Sequence, residues 1–359
     1  MRKIAIVIFF LLLFEPILCV NSLAVGSDNQ AFTLYEPSTD SFHFFNNLNK
    51  RLPMASTTKI MTAILAIELG NQNETITVCK EAVGIEGSSL YLAEGDTVNF
   101  TDLLYGLMLS SANDAATLIA ITVGGSVNDF CSLMNEKARS LNLTNTNFTN
   151  PHGLPHDEHY TSCADLARLT AYALNNPLFK KIVSTKQKKI YISEKSRLLI
   201  NHNKLLSKFE GCYGVKTGFT KKSGRCLVSA AEKNGVDLIA VTLNVSDDWS
   251  FHTALYEKGF SIFEFISLES LISQSYGIPI LTEDLAFAKA VPTNHKDGYV
   301  VLKNNNTLTS KIICKKYICV DTKIGTKIGE IQIYYNNNLI DTIDLITTEN
   351  IKIKNRRLK

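Results

Sequence analysis

The dipeptide Asn234-Gly235 separates two β-rich runs, RCLVSAAEK and VDLIAVTLNV. Both residues tolerate positive φ, so a two-residue turn here closes a tight antiparallel hairpin. GCYGVKTGFT, just upstream, reads as a further strand of the same meander, with KKIYIS as its lead-in. A sheet of this kind needs a cover, and helical spacing supplies one. Ile60, Ala63, Ile64 and Ile67 recur at that spacing between Ser56 and Gly70. Residues 103–109 and 115–123 read as two helices separated by SSAND, and 126–141 as an amphipathic one. Residues 161–174 form another, with Ser162 and Asp165 placed as a capping box. Helical spacing returns over 251–272, while AFTLYE and SFHFFN, around PSTD, are two short N-terminal strands.

This order implies an α+β catalytic domain, an antiparallel sheet with a helical cluster. Beyond about Gly277 the texture changes to short β-rich runs such as DGYVVLK, KIICKKYICV and GEIQIYYNNNLIDTIDL. They predict a small C-terminal β domain. The expected boundaries are 1–24 for a leader, 25–275 for the catalytic domain and 276–359 for the β domain.

The leader is read from Arg2 and Lys3 before the apolar run Ile4 to Phe14, with Ser22 and Ala24 at cleavage-site positions. It predicts export to the cell envelope or beyond. Glu15 interrupts the run and disfavours an uncleaved anchor, and bulky Leu18 disfavours lipidation at Cys19. The seven remaining cysteines are odd in number and scattered, so packed free thiols are expected rather than a disulfide framework. Cys314 and Cys319 are near enough in sequence to pair locally. A net charge of +3 is too small to argue for nucleic acid, and no basic run with interleaved aromatics is present.

Ser56 and Lys59 head the first apolar helix, three residues apart, and so share one face of its first turn. Lysine is a poor neighbour for a helix N-terminus, where the backbone dipole is already positive. Chemistry gives the placement a purpose. A serine hydroxyl needs a base, and a lysine becomes one when burial, a second cation or the helix dipole makes it easier to deprotonate. Free N–H groups at the same helix end help an oxyanion form. By chance roughly one Ser-x-x-Lys is expected in a chain of this length, and this chain has one. Two further elements give it weight. Ser111 and Asn113 form a Ser-x-Asn in the break between two helices, and Lys216-Thr217-Gly218 lies on a predicted strand. Ser-x-Asn recurs at Ser126 and Ser140, where a polar helix face is the simpler account.

In this order and spacing the three elements resemble the serine DD-peptidases, the low-molecular-mass penicillin-binding proteins with D-alanyl-D-alanine carboxypeptidase activity. EGSSLYLAEGDTVNFTDLLYGLMLSSANDAA and NPHGLPHDEHYTSCADLARL extend the match, which covers about residues 30 to 270 and, more loosely, the β domain. The resemblance implies that Ser56 attacks the carbonyl of the penultimate D-alanine with Lys59 as general base. Ser111 would relay the proton to the leaving D-alanine, and Asn113 would hold the substrate amide. Lys216 would supply positive charge, Thr217 would bind the terminal carboxylate, and Gly218 would leave room for the substrate backbone. Backbone N–H groups of Ser56 and Phe219 would form the oxyanion hole. The partners implied are peptidoglycan stems ending in D-Ala-D-Ala, and β-lactams as inhibitors; no cofactor or metal is implied.

Two departures stand out. Ala112 replaces the glycine or aspartate usual in the second element, and the basic KIKNRRLK end lacks the apolar face of a membrane-lying helix, leaving peripheral membrane contact open. A serine β-lactamase would need a deacylating glutamate, and Ala171 stands where the family's Glu-x-x-Leu-Asn element would put it; Glu158 is the remaining candidate. A non-catalytic peptidoglycan or β-lactam sensor would not need a base. His152, His156 and His159 lie in a loop with two prolines and a glycine, which gives no fixed ligand face for a metal. Trp249 reads as packing.

Overall fold

The computed structural model describes residues 28–281, 286–293, 295–303 and 307–351. The proposed leader and the basic KIKNRRLK end lie outside the described residues.

The hairpin forms as the dipeptide requires. Asn234 has φ 52° and Gly235 φ 79°, and Lys233 pairs with Val236 across the turn. Positive φ at both central residues is the turn whose twist suits two paired strands. The hairpin strands, Gly224–Lys233 and Val236–Leu243, sit in a five-stranded antiparallel sheet. Ala31–Glu36 and Ser41–Asn46 extend one side, and Cys212–Thr220 forms the opposite edge.

Each face of the sheet is buried by helices. Asp248–Ile262 covers one face, with Leu255 and Tyr256 fully buried against Leu34, Leu238 and Ala240. The other face meets a larger cluster built on the helix Lys59–Leu69, whose residues Lys59 through Ile67 are all buried. That encirclement is why the helix lacks a polar stripe. Around it pack Phe100–Leu109, Asn113–Gly124, Val127–Ser140, Cys163–Leu174 and Pro177–Ser184. Ser162 caps Cys163–Leu174, its hydroxyl accepting from the Asp165 N–H at 3.2 Å. The Asp165 carboxylate turns instead to the Asn145 N–H and the Thr146 hydroxyl, so only half of the expected box forms.

Two expectations are corrected. The helix predicted over 251–272 runs from Asp248 to Ile262 and then gives way to a strand, Phe263–Ser267, paired with Gly298–Leu302. Phe263 and Phe265 alternate with Glu264 in that stretch, so ladder pairing satisfies its backbone where helical spacing had been read. KKIYIS does form a strand, Gln187–Ile192. It belongs to a separate small sheet with Lys195–Ile200, Thr97–Asn99 and Thr75–Thr77 rather than to the meander.

Toward the C-terminus a second five-stranded antiparallel sheet is ordered Tyr276–Ile280, Ala286–Pro292, Asn338–Thr347, Lys327–Tyr335 and Leu308–Cys314. Its own core includes Leu268, Ile331, Ile333 and Leu345. All seven described cysteines are free: Cys131, Cys163 and Cys226 are buried, and Cys314 and Cys319 are exposed. No single described helix is long and apolar enough to cross a membrane.

Candidate active site

Ser56 lies not in the α-helix itself but in a 3-10 turn, Ala55–Thr58, that leads into it at Lys59. Ala55 has φ 46°, an unfavourable conformation for a residue with a side chain. Neighbours hold it there. The Thr58 hydroxyl donates to the Ala55 carbonyl at 2.7 Å, and the Thr57 hydroxyl to that of Met54 at 2.6 Å. Gly153, with φ 94°, presses on the same turn, and a Cβ there would lie 1.9 Å from the Ala55 oxygen. Gly153→Ala is therefore expected to cost about 2–4 kcal/mol of stability and to displace the serine. A lowered thermal midpoint together with slowed acylation would show it; an unchanged midpoint would not fit this packing.

Lys59 is fully buried, and its Nζ lies 2.9 Å from Ser56 Oγ, 2.7 Å from Asn113 Oδ1 and 2.6 Å from the His152 carbonyl. Three acceptors suit an ammonium. The same geometry suits a neutral amine, which would donate to the two carbonyl oxygens and accept the serine proton. Burial pushes the Lys59 ammonium well below the usual lysine range, and Lys216 pushes the same way, while Asp114 opposes them. Lys216 is itself buried and lowered to about 7, with Nζ donating to the Thr217 carbonyl at 2.9 Å.

Asn113, the first residue of its helix, is buried. Besides bonding Lys59 it donates Nδ2 to the Glu86 carbonyl at 2.5 Å, and its N–H bonds the Ser88 carbonyl at 2.7 Å. Its second Nδ2 hydrogen has no partner among the described residues. Ser111, two positions earlier, has φ 59° and lines the cleft beside Ser56, Thr217, Gly218 and Phe219. That cleft holds about 380 Å³. A Cβ on Gly218 would sit 3.0 Å from the Ser56 nitrogen and 3.1 Å from the Ala55 Cβ, so glycine lets the strand run close to the serine N–H. The eight expected site residues thus converge where two helix ends meet the sheet edge.

Several contributors escaped sequence reasoning. The His152 carbonyl works through the backbone, and the side-chain chemistry of NPHGLPH gave no sign of it. Its loop is held by Asn150, whose Oδ1 accepts from the Gly153 N–H at 2.7 Å. Buried Asp114 accepts from the Leu90 and Leu92 N–H groups and the Ser89 hydroxyl, fixing the 88–92 loop beside Asn113. The three loop histidines are each engaged separately: His159 with Thr58 and Thr149, His152 with Leu154, and His156 with Glu158. Arg225, Asp248 and Trp249 also line the cleft.

A serine paired with a buried lysine, bonded to no histidine ring among the described residues, beside a Lys-Thr-Gly strand places this fold in the class shared by DD-peptidases and serine β-lactamases. Within that class the comparisons are specific. The family model described as D-alanyl-D-alanine carboxypeptidase, peptidase family S11, matches residues 27–247, and the chain belongs to that family. The D-alanyl-D-alanine carboxypeptidase DacF of Bacillus subtilis is 34% identical over 230 residues, which cover 62% of this chain and 59% of that protein. The Streptomyces K15 DD-transpeptidase structure aligns at 30% identity and a TM-score of 0.61, over 64% of this chain and 96% of that one. Penicillin-binding protein 5 of Haemophilus influenzae shares the fold, second sheet included, with a TM-score of 0.68 at 24% identity; the alignment covers 90% of this chain and 97% of that one.

Proposed function

We propose that the protein is a serine-type D-Ala-D-Ala carboxypeptidase, which removes the terminal D-alanine from peptidoglycan pentapeptide stems and is acylated by penicillins. The observation that carries this reading is the buried Lys59 amine 2.9 Å from Ser56 Oγ. Lys59 takes the serine proton as Oγ attacks the penultimate D-alanine carbonyl. The Ser56 and Phe219 N–H groups stabilise the oxyanion. Ser111 relays the proton to the leaving nitrogen, the C–N bond breaks, and water later frees the acyl group. Asn113 holds the substrate amide, and Lys216 and Thr217 face the leaving residue.

The only carboxylate lining the cleft among the described residues is that of Asp248, and it is bound to Arg225. Glu158 is exposed and absent from the lining. Neither supports the deacylating base of a β-lactamase. The leader-like residues 1–24 support export, and trimming of donor stems would limit cross-linking and so bear on cell shape.

Incubation with diacetyl-Lys-D-Ala-D-Ala is expected to release free D-alanine in proportion to enzyme. Covalent capture of penicillin with no D-alanine released would instead identify a sensor.

A further inference from the structure

The loop that carries the His152 carbonyl touches the serine turn at a second point, through the buried ring of His159. Nδ1 of that ring lies 3.0 Å from the Thr149 nitrogen, and Nε2 lies 2.7 Å from the Thr58 hydroxyl oxygen. Phe148 packs against it edge-on, 5.9 Å between ring centres. Two separate constraints fix where the imidazole proton sits. A backbone N–H can only donate, so Nδ1 has to accept from Thr149. The Thr58 hydroxyl gives its one hydrogen to the Ala55 carbonyl at 2.7 Å, so it has to accept from Nε2. One species meets both demands, the neutral ring protonated at Nε2. An imidazolium would set two N–H donors against each other at Thr149. Burial, with His156 and Lys59 nearby, lowers the ring to about 4 and keeps it neutral near pH 7.

The relay ends on the peptide unit before the nucleophile. The Ala55 carbonyl and the Ser56 N–H belong to one planar group and point in opposite directions. Holding the carbonyl at Thr58 therefore aims the N–H the other way. On the strand side, a Cβ on Gly218 would lie 3.0 Å from that nitrogen. Ala55, with φ 46°, sits in a conformation that a residue with a side chain does not keep unaided. We propose that His159 is a positioning residue, which acts through Thr58 to lock the Ala55–Ser56 peptide and so preorganise the Ser56 N–H as an oxyanion donor. This rests on the acyl-serine reading, in which the substrate carbonyl gains negative charge beside that N–H. A donor already aimed at the developing charge needs no reorganisation as the charge forms. His159 itself touches no reacting atom.

The test compares turnover of diacetyl-Lys-D-Ala-D-Ala with binding of a peptidyl boronic acid, whose adduct on Ser56 is tetrahedral. His159→Leu and Thr58→Val each cut the relay. Both are expected to lower kcat by about 10- to 100-fold while KM changes less than about threefold. Affinity for the boronic acid should fall by a factor close to the loss in kcat. Thr58→Ser keeps the hydroxyl and should recover most of the activity. His159→Gln, whose amide N–H can take the place of Nε2–H, should recover part of it. The two Thr58 variants give the same comparison if the leucine variant does not fold. A lowered thermal midpoint with kcat and boronic acid affinity unchanged would overturn the inference, and so would a loss confined to KM. Either result would leave the acyl-serine mechanism standing. A wild-type enzyme that releases no D-alanine and forms no boronic acid adduct would overturn the functional reading, and the positioning role with it.

Discussion

Ser56→Ala is expected to lower D-alanine release by about 10⁴-fold or more, to the limit of detection, because removing an attacking group leaves only positioning and oxyanion contacts. No other hydroxyl bonds Lys59 Nζ among the described residues, so none can take over the attack by a simple rotation. The fold should barely notice. Apart from the lysine contact, Ser56 Oγ makes one long bond, to the His152 carbonyl at 3.4 Å. The thermal midpoint should therefore stay near wild type while release is lost. Release within tenfold of wild type would mean that another group attacks.

The second large effect is expected at Lys59. Lys59→Met keeps most of the volume but removes the base, and acylation should slow by about 10²- to 10⁴-fold. Lys59→Arg should be no better, since a guanidinium does not give up its proton near neutrality. The pH profile separates a base from a packing residue. A lysine held below its usual range by burial and by Lys216 loses its proton at a lower pH than a free lysine. Acylation by the wild type should thus fall as pH drops through that lowered value, where the ammonium forms. The Lys59→Met protein should lack this limb. An acid limb that persists unchanged in the variant would assign it to a different group.

How far the sequence spoke depends on the range of the interactions concerned. Asn234-Gly235 encodes its turn within two residues, and the hairpin appears in the expected place. Ser56 and Lys59 are joined by one helical turn, so their contact was also legible. Asn113 was found by its motif, but its bond to Lys59 spans 54 positions and was not visible. The His152 carbonyl was hidden for another reason: main-chain acceptors carry no side-chain signature. Arg225 and Asp248 are 23 residues apart on a strand and a helix, and only the folded sheet brings them together. The misplaced helix end at Ile262 shows the limit of periodicity. No glycine or proline follows Ile262, and the short alternation in FEFIS was outweighed by the helical spacing before it; its partner strand lies 31 to 39 residues later.

The central claim is that Ser56 becomes acylated and that the acyl group leaves slowly when it comes from a penicillin. The most direct measurement is an intact-mass time course of the full chain with benzylpenicillin, followed by peptide mapping of the adduct. The account predicts a single added penicillin that persists for many minutes and maps to Ser56. Rapid consumption of penicillin with no lasting adduct, or an adduct on a different residue, would contradict it.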